Sequence, residues 1–322
     1  MNSRSLPLAA AIVFVVSAAR PVTAADVCDR ACLSGYVDQY LAALVAHDPD
    51  RLPWARAARF TENGQELRLG DGLWGTASAP GKYRLYVADP EDGQVGFLGT
   101  VFENGTPVLL ALRLRIEDQT VSEVETIVSR SPFAGSSLPS AGQAVEDRGQ
   151  PRPQFLRTVP AAQRMPREDL VRVANSYFTG LAANTGRNTA PFAATCNRLE
   201  NGTQTTNSPR PGTQGGPDIV AMSCEAQQKS GFFPFVTSIR DRRFPVVDRE
   251  RGLVLAFGFF EHQGRIKDIK LTTGETVPSP VRSPFTFEIA ELFQIDKGLI
   301  DQVEAVLNVV PYGMTSDVWD RR

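Results

Sequence analysis

Histidine is almost missing from this chain: His47 and His262 are the only two among 322 residues, and neither lies near a pair of cysteines. A structural zinc site needs such clustering, so the cysteines read as disulfide partners before metal ligands, and no metal is expected. Long apolar runs are missing as well once the first 25 residues are set aside. No later stretch approaches the roughly 18 consecutive apolar residues of a membrane-spanning helix. Charge of one sign is not in excess, with 34 basic residues against 36 acidic. A nucleic-acid partner is therefore disfavoured, because a phosphate backbone calls for a strongly basic face. Neither a Gly-x-Ser-x-Gly elbow nor a P-loop occurs, which sets aside serine hydrolase and kinase chemistry.

What is present begins with a leader. Arg4 precedes the uncharged run Leu6 to Ala19 and the small-residue site Val22-Thr23-Ala24, so residues 1–25 read as a secretory signal peptide. Its removal takes away Arg4 and Arg20 and no acid, leaving 32 basic and 36 acidic residues. The mature protein is expected in the periplasm or outside the cell, with no membrane partner after that removal. Four cysteines in an exported chain imply two disulfides, for which three connectivities exist. The preferred set is Cys28–Cys32 and Cys196–Cys224, since each pair closes a loop within one half of the chain.

Between residues 131 and 166, six prolines stand among Ser, Gly, Gln and Arg. That composition predicts a linker without a regular helix or central strand. It divides a first domain, 26–130, from a second, 167–322. Each opens with an amphipathic helix: Leu33, Val37, Tyr40, Leu41 and Leu44 in one, Leu170, Val173, Ala174, Tyr177, Phe178 and Leu181 in the other. An offset of 137 superposes Tyr40 on Tyr177, and an offset of 138 superposes Glu62-Asn63-Gly64 on Glu200-Asn201-Gly202. Near the ends, Ala111, Ile116, Val124 and Glu125 meet Ala290, Ile295, Val303 and Glu304 at an offset of 179. The growing offset places extra loops in the second half, with Asn207–Gly216 and Thr272–Pro284 as candidates. A helix followed by β-branched and aromatic runs split by turns indicates an α+β domain with antiparallel strands, here twice over.

The stretch Asp38-Gln39-Tyr40-Leu41-Ala42-Ala43-Leu44-Val45-Ala46-His47-Asp48-Pro49-Asp50, followed by Ala58-Arg59-Phe60-Thr61-Glu62, resembles the opening of ketosteroid isomerases and the wider SnoaL-like group. The resemblance implies two tandem cones, each a curved antiparallel sheet with helices, open at one end to a small-molecule cavity and packed sheet to sheet. It places Tyr40 where those isomerases have an oxyanion-binding tyrosine and Glu62 on or beside their carboxylate base. Their second oxyanion donor falls near Leu112, and leucine cannot donate. In the second domain the repeat places Tyr177, Glu200 and Glu291 at the three positions, all with suitable groups. Glu291 shares a strand face with Ile289 and Phe293, so period two turns it inward.

Such a set needs no cofactor: a carboxylate lifts a proton next to a carbonyl while a phenol and a neutral acid donate to the developing enolate oxygen. In ketosteroid isomerase itself an apolar site keeps that carboxylic acid neutral. Trp74, in Gly70-Asp71-Gly72-Leu73-Trp74, reads as a ligand contact at a cavity mouth or as a hydrophobic plug. Arg113 reads as part of a solvated charge ladder with Arg115 and Glu117, or as an anion clamp if its face is the interior. Two functions follow. One is an exported, cofactor-independent lyase, isomerase or dehydratase acting on a carbonyl-bearing small molecule. The other is a non-catalytic small-molecule binding or carrier protein. A fused pair of cones supplies a dimer within one chain, so a monomer or a homodimer is expected.

Overall fold

The computed structural model describes residues 28–130, 141–209, 218–316 and 318–319. The expected signal peptide lies outside the described residues, as do the first ten residues of the expected linker.

The first helix, α1 (Arg30–Val45), starts where the Asp29 side chain accepts from the Cys32 amide at 2.9 Å. An Asp in that place satisfies one of the helix's orphan N–H groups. Its apolar stripe, Leu33, Val37, Tyr40, Leu41 and Leu44, lies in a core with the strands that follow. Those strands are β1 (Trp54–Glu62), β2 (Gln65–Leu67), β3 (Ala77–Asp89), β4 (Gln94–Glu103), β5 (Thr106–Glu117) and β6 (Thr120–Ser129). They form one sheet in the order β2-β1-β6-β5-β4-β3.

The second half repeats this. After α4 (Arg167–Leu181) come β7 (Phe192–Glu200), β8 (Thr203–Gln204), β9 (Ser238–Asp248), β10 (Leu253–His262), β13 (Phe285–Asp296) and β14 (Leu299–Val310). Their sheet order is β8-β7-β14-β13-β10-β9, position for position that of the first. Glu62 pairs with Thr126 in one sheet and Glu200 with Ala305 in the other, so the offsets of 138 and 179 are the strand registers themselves. Two additions sit in the second half: α5 (Cys224–Lys229) between β8 and β9, and the hairpin of β11 (Asp268–Lys270) and β12 (Thr276–Pro278) between β10 and β13.

Two expectations need correction. The sheets are mixed, since β1 runs parallel to β6 and β7 parallel to β14. Each half's last strand closes against its first, a pairing that local patterns do not encode. The proline-rich segment does hold helices, α2 (Ala141–Arg148) and α3 (Pro153–Leu156). Residues 141–148 contain no proline, and α3 begins on Pro153, where the missing N–H is harmless.

Alternation along β5 explains the layering. Leu110, Leu112 and Leu114 face α1, whereas Leu109 and Ala111 join a second core with Leu85, Val87 and Leu98 and, from the other half, Val246, Leu253, Leu255, Phe257 and Leu292. The two sheets thus pack face to face, each with its helix outside. Gly96 makes room at this interface: a Cβ there would lie 2.4 Å from Leu255 Cδ2.

Ion pairs cross the interface with the same two-fold logic. Arg30, the first residue of α1, bonds both carboxylate oxygens of Asp248 at 2.8 and 2.6 Å, and Arg167, the first residue of α4, reaches Asp89 at 2.6 Å. Tyr83 donates to Glu304 at 2.7 Å, while Arg243 pairs with Glu125, the counterpart of Glu304.

Candidate functional site

The first-half interior is filled by its own side chains. A 3-10 turn at Gly72–Gly75 carries Trp74 inward, where only 1% of it is exposed and its ring meets Tyr40 edge-on at 5.1 Å. His47 Nδ1 is hydrogen-bonded to the Trp74 carbonyl, tying the turn to the end of α1. The residues Gly70 to Gly75 follow the letter spacing of a dinucleotide-binding loop, G-x-G-x-x-G. They form this turn after a short antiparallel hairpin, however, and open no helix after a parallel strand, so the spacing serves the turn. Gly72 adopts φ +66°, and a Cβ there would lie 2.5 Å from Glu62 Oε2.

Glu62 is committed within this arrangement. Its Oε2 accepts from the Leu73 amide at 2.7 Å and its Oε1 from Arg130 Nη2 at 2.7 Å. Tyr40 is buried, and burial holds its hydroxyl well above the usual phenol range. With Leu112 fully buried and apolar, these residues build a packed core around a plug. Trp74 is thus the plug of the two alternatives.

Arg113 matches neither alternative. It is buried on the strand face turned to the other sheet, away from the interior. There its Nε donates to Glu125 Oε2 at 2.8 Å, and its Nη1 donates to Gln94 at 2.8 Å and Glu123 at 2.7 Å. Trp319 lies over it, 4.7 Å from ring centroid to guanidinium, and over Arg59 at 5.0 Å. The guanidinium is spent on the inter-sheet network.

The second half differs at one decisive position. Where β1 carries Phe60, β7 carries Arg198, only 5% exposed, on the same face as Cys196 of the core that the second half builds with α4. Its Nη1 donates to the Tyr177 hydroxyl at 3.1 Å, its Nε lies 3.1 Å from Glu200 Oε1 and 2.9 Å from Thr205 Oγ1, and its Nη2 donates to Gln227 at 2.7 Å. Tyr177 and Glu200 are thereby drawn round one buried guanidinium, and Glu291 joins them through the Tyr177 hydroxyl. Period two along β7 puts Arg198 inward, so the signal was in the sequence, as a charge replacing Phe60 in the repeat.

The two carboxyls have different surroundings. Glu291 is 1% exposed, its Oε2 has no hydrogen-bond partner among the described residues, and burial first, then the charge of Glu200, pushes it up to about 8 against the pull of Arg198 and the Tyr177 hydroxyl. Burial therefore favours its neutral acid form. Glu200 stands at the strand end with 36% of its side chain exposed and a guanidinium beside it. Burial raises the Tyr177 hydroxyl well above the usual phenol range, so it remains a donor. Aromatic rings close the surroundings, with Phe293 at 5.2 Å and Phe192 at 6.2 Å from Tyr177.

Both disulfides are formed, Cys28–Cys32 and Cys196–Cys224. His262 is stacked on Phe285 at 4.3 Å, and burial lowers it to about 4. No group of three His, Cys, Asp or Glu side chains among the described residues could hold a metal ion, and no helix among them is long and apolar enough to cross a membrane.

The second half thus holds a carboxylic acid and a phenol, each 1% exposed, and a partly exposed carboxylate close to one fixed cation. No curated protein matches the chain. One family model matches residues 26–128 and 163–307, a stretch in each half, and so the chain belongs to the family described as domain of unknown function DUF8021.

Proposed function

We propose that the second half is a general acid–base site for a carbonyl-bearing small molecule, working as a lyase, isomerase or dehydratase without a cofactor. Glu200 takes the proton next to the carbonyl, while Tyr177 and the neutral Glu291 donate hydrogen bonds to the enolate oxygen that forms. The observation that carries this reading is the meeting of Tyr177 and Glu200 at Arg198, with Glu291 hydrogen-bonded to the same Tyr177 hydroxyl. Arg198 donates to the Tyr177 oxygen, so the phenol keeps its O–H as a donor, bonded to Glu291 before substrate binds and turned to the enolate oxygen in the reaction. The reading extends the resemblance to the SnoaL-like group from the helix and first strand to the site. Two disulfides fit an oxidising compartment, so the protein acts in the periplasm or as a secreted protein.

Proton exchange tests the proposal. A panel of ketones and aldehydes is incubated with the mature chain in deuterated water, and deuterium uptake next to the carbonyl is followed by NMR. Glu200→Gln should slow uptake by roughly 10²–10⁴-fold and Tyr177→Phe by roughly 10²–10³-fold. A panel member bound with the same affinity by wild type and both variants, with no exchange in any, makes the protein a carrier and defeats the enzymatic reading.

A further inference from the structure

Nine residues separate β2 from β3, but 33 separate β8 from β9. Within that longer connection lies α5, and its contacts converge on Arg198. Cys224, the first residue of α5, is bonded to Cys196, which precedes Arg198 by two positions on β7. Gln227, one turn further on and 1% exposed, accepts from Arg198 Nη2 at 2.7 Å. Its amide nitrogen is itself held, donating to the Ile219 carbonyl at 2.6 Å and to the Thr205 carbonyl. Phe233 covers the guanidinium, its ring centroid 5.4 Å away. The first half has none of this: at the repeat offset, Ala58 stands for Cys196 and Phe60 for Arg198.

A buried guanidinium needs its N–H groups satisfied, and each missing acceptor leaves a donor unpaired in a dry setting. Gln227 supplies the acceptor for Nη2. Without it, the strongest remaining attraction is the partly exposed Glu200 carboxylate, and a guanidinium drawn there moves off Tyr177 and Glu291.

We propose that α5, fastened by the Cys196–Cys224 disulfide, is the positioning element of the second-half site, with Gln227 holding the Arg198 guanidinium between Tyr177 and Glu200. This rests on Tyr177, Arg198, Glu200 and Glu291 forming one site, and it makes Gln227 a positioning residue that touches no substrate.

The test is the titration of Glu291 by carboxyl ¹³C NMR in the mature chain without substrate, the resonance assigned by its loss in Glu291→Gln. In Gln227→Met, which keeps the volume but removes the acceptor, the midpoint should rise from about 8 to about 9 as the positive charge withdraws. Gln228→Met is the matched control. Gln228 is equally buried on the same helix and bonds the Ala190 amide and the Tyr177 carbonyl, not Arg198. Its midpoint should stay in place. An equal shift in both variants, or none in Gln227→Met, overturns the proposal. Should Gln227→Met not fold, Cys196→Ala/Cys224→Ala keeps Gln227 but frees α5, and an unchanged Glu291 midpoint there overturns it as well. Because no substrate is used, this result is independent of whether any carbonyl compound exchanges.

Discussion

Glu288 is 5% exposed on the inter-sheet face of β13, against the first half's β1–β2 turn, where a Cβ on Gly64 would lie 3.2 Å from its Oε1. Its Oε2 has no hydrogen-bond partner among the described residues, and burial first, then Glu125, pushes it up to about 8 while Arg243 opposes. A carboxyl raised in the folded state binds its proton there while the unfolded chain has lost it. Stability is thus full below the ordinary carboxylate range and falls as pH climbs towards 8. Glu288→Gln removes that dependence: it should stabilise the protein by about 4 kcal/mol at pH 8 and leave it unchanged near pH 4, as read by denaturant unfolding at the two values. Equal effects at both pH values would mean that Glu288 is already ionised in the fold. At this scale the sequence was readable where alternation was regular, as with the inward Glu291. It was less readable for Glu288, whose burial depends on the other half.

The turns and registers show how far local patterns reach at the scale of elements. Asn63 and Gly64 adopt φ of 49° and 73°, and Asn201 and Gly202 of 43° and 76°, so the repeated Asn-Gly is a tight turn joining β1 to β2 and β7 to β8. Each asparagine also bonds its half's last strand in both directions, Asn63 to Val128 and Asn201 to Leu307. Turn chemistry and offsets were therefore legible, and they fixed which strands correspond. The parallel pairing of β1 with β6 was not, because it joins segments about 60 residues apart and leaves no periodic trace. Nor could the linker's composition reveal α2, whose Val145 enters the shared core while Glu146 accepts from the Lys82 amide at 2.9 Å. The turn bearing Trp74 makes the two interiors differ. Trp74→Ala should cost about 3–5 kcal/mol by leaving a cavity beside Tyr40. Small apolar solutes such as benzene should then raise the melting temperature of the variant but not of wild type. A smaller loss with no solute effect would mean that the turn collapses into the space.

For the whole molecule, the question is what keeps two similar halves as one body. Leu85, Val87, Leu98, Leu109, Ala111 and Ile127 of the first sheet are covered because the second sheet, with α2 and Phe155 of α3, lies on them. An exposed apolar face of that extent is an association surface. The crossing pairs add direction, since Asp248 and Asp89 have side chains with 0% exposure and each is neutralised by the first arginine of the other half's helix. Removing one partner of such a pair leaves a buried charge. The chain divided between Arg130 and Ala141 and produced as two polypeptides should therefore yield a one-to-one complex, while either piece alone self-associates or fails to fold. The intact chain, with the face covered internally, should run as a monomer by size exclusion with light scattering. Gly96→Val in the first piece supplies the control, because the added side chain meets Leu255 and should block the complex while leaving α1 and its own core intact. Two pieces that each remain folded monomers would show that the shared core is dispensable and that the ion pairs alone order the halves.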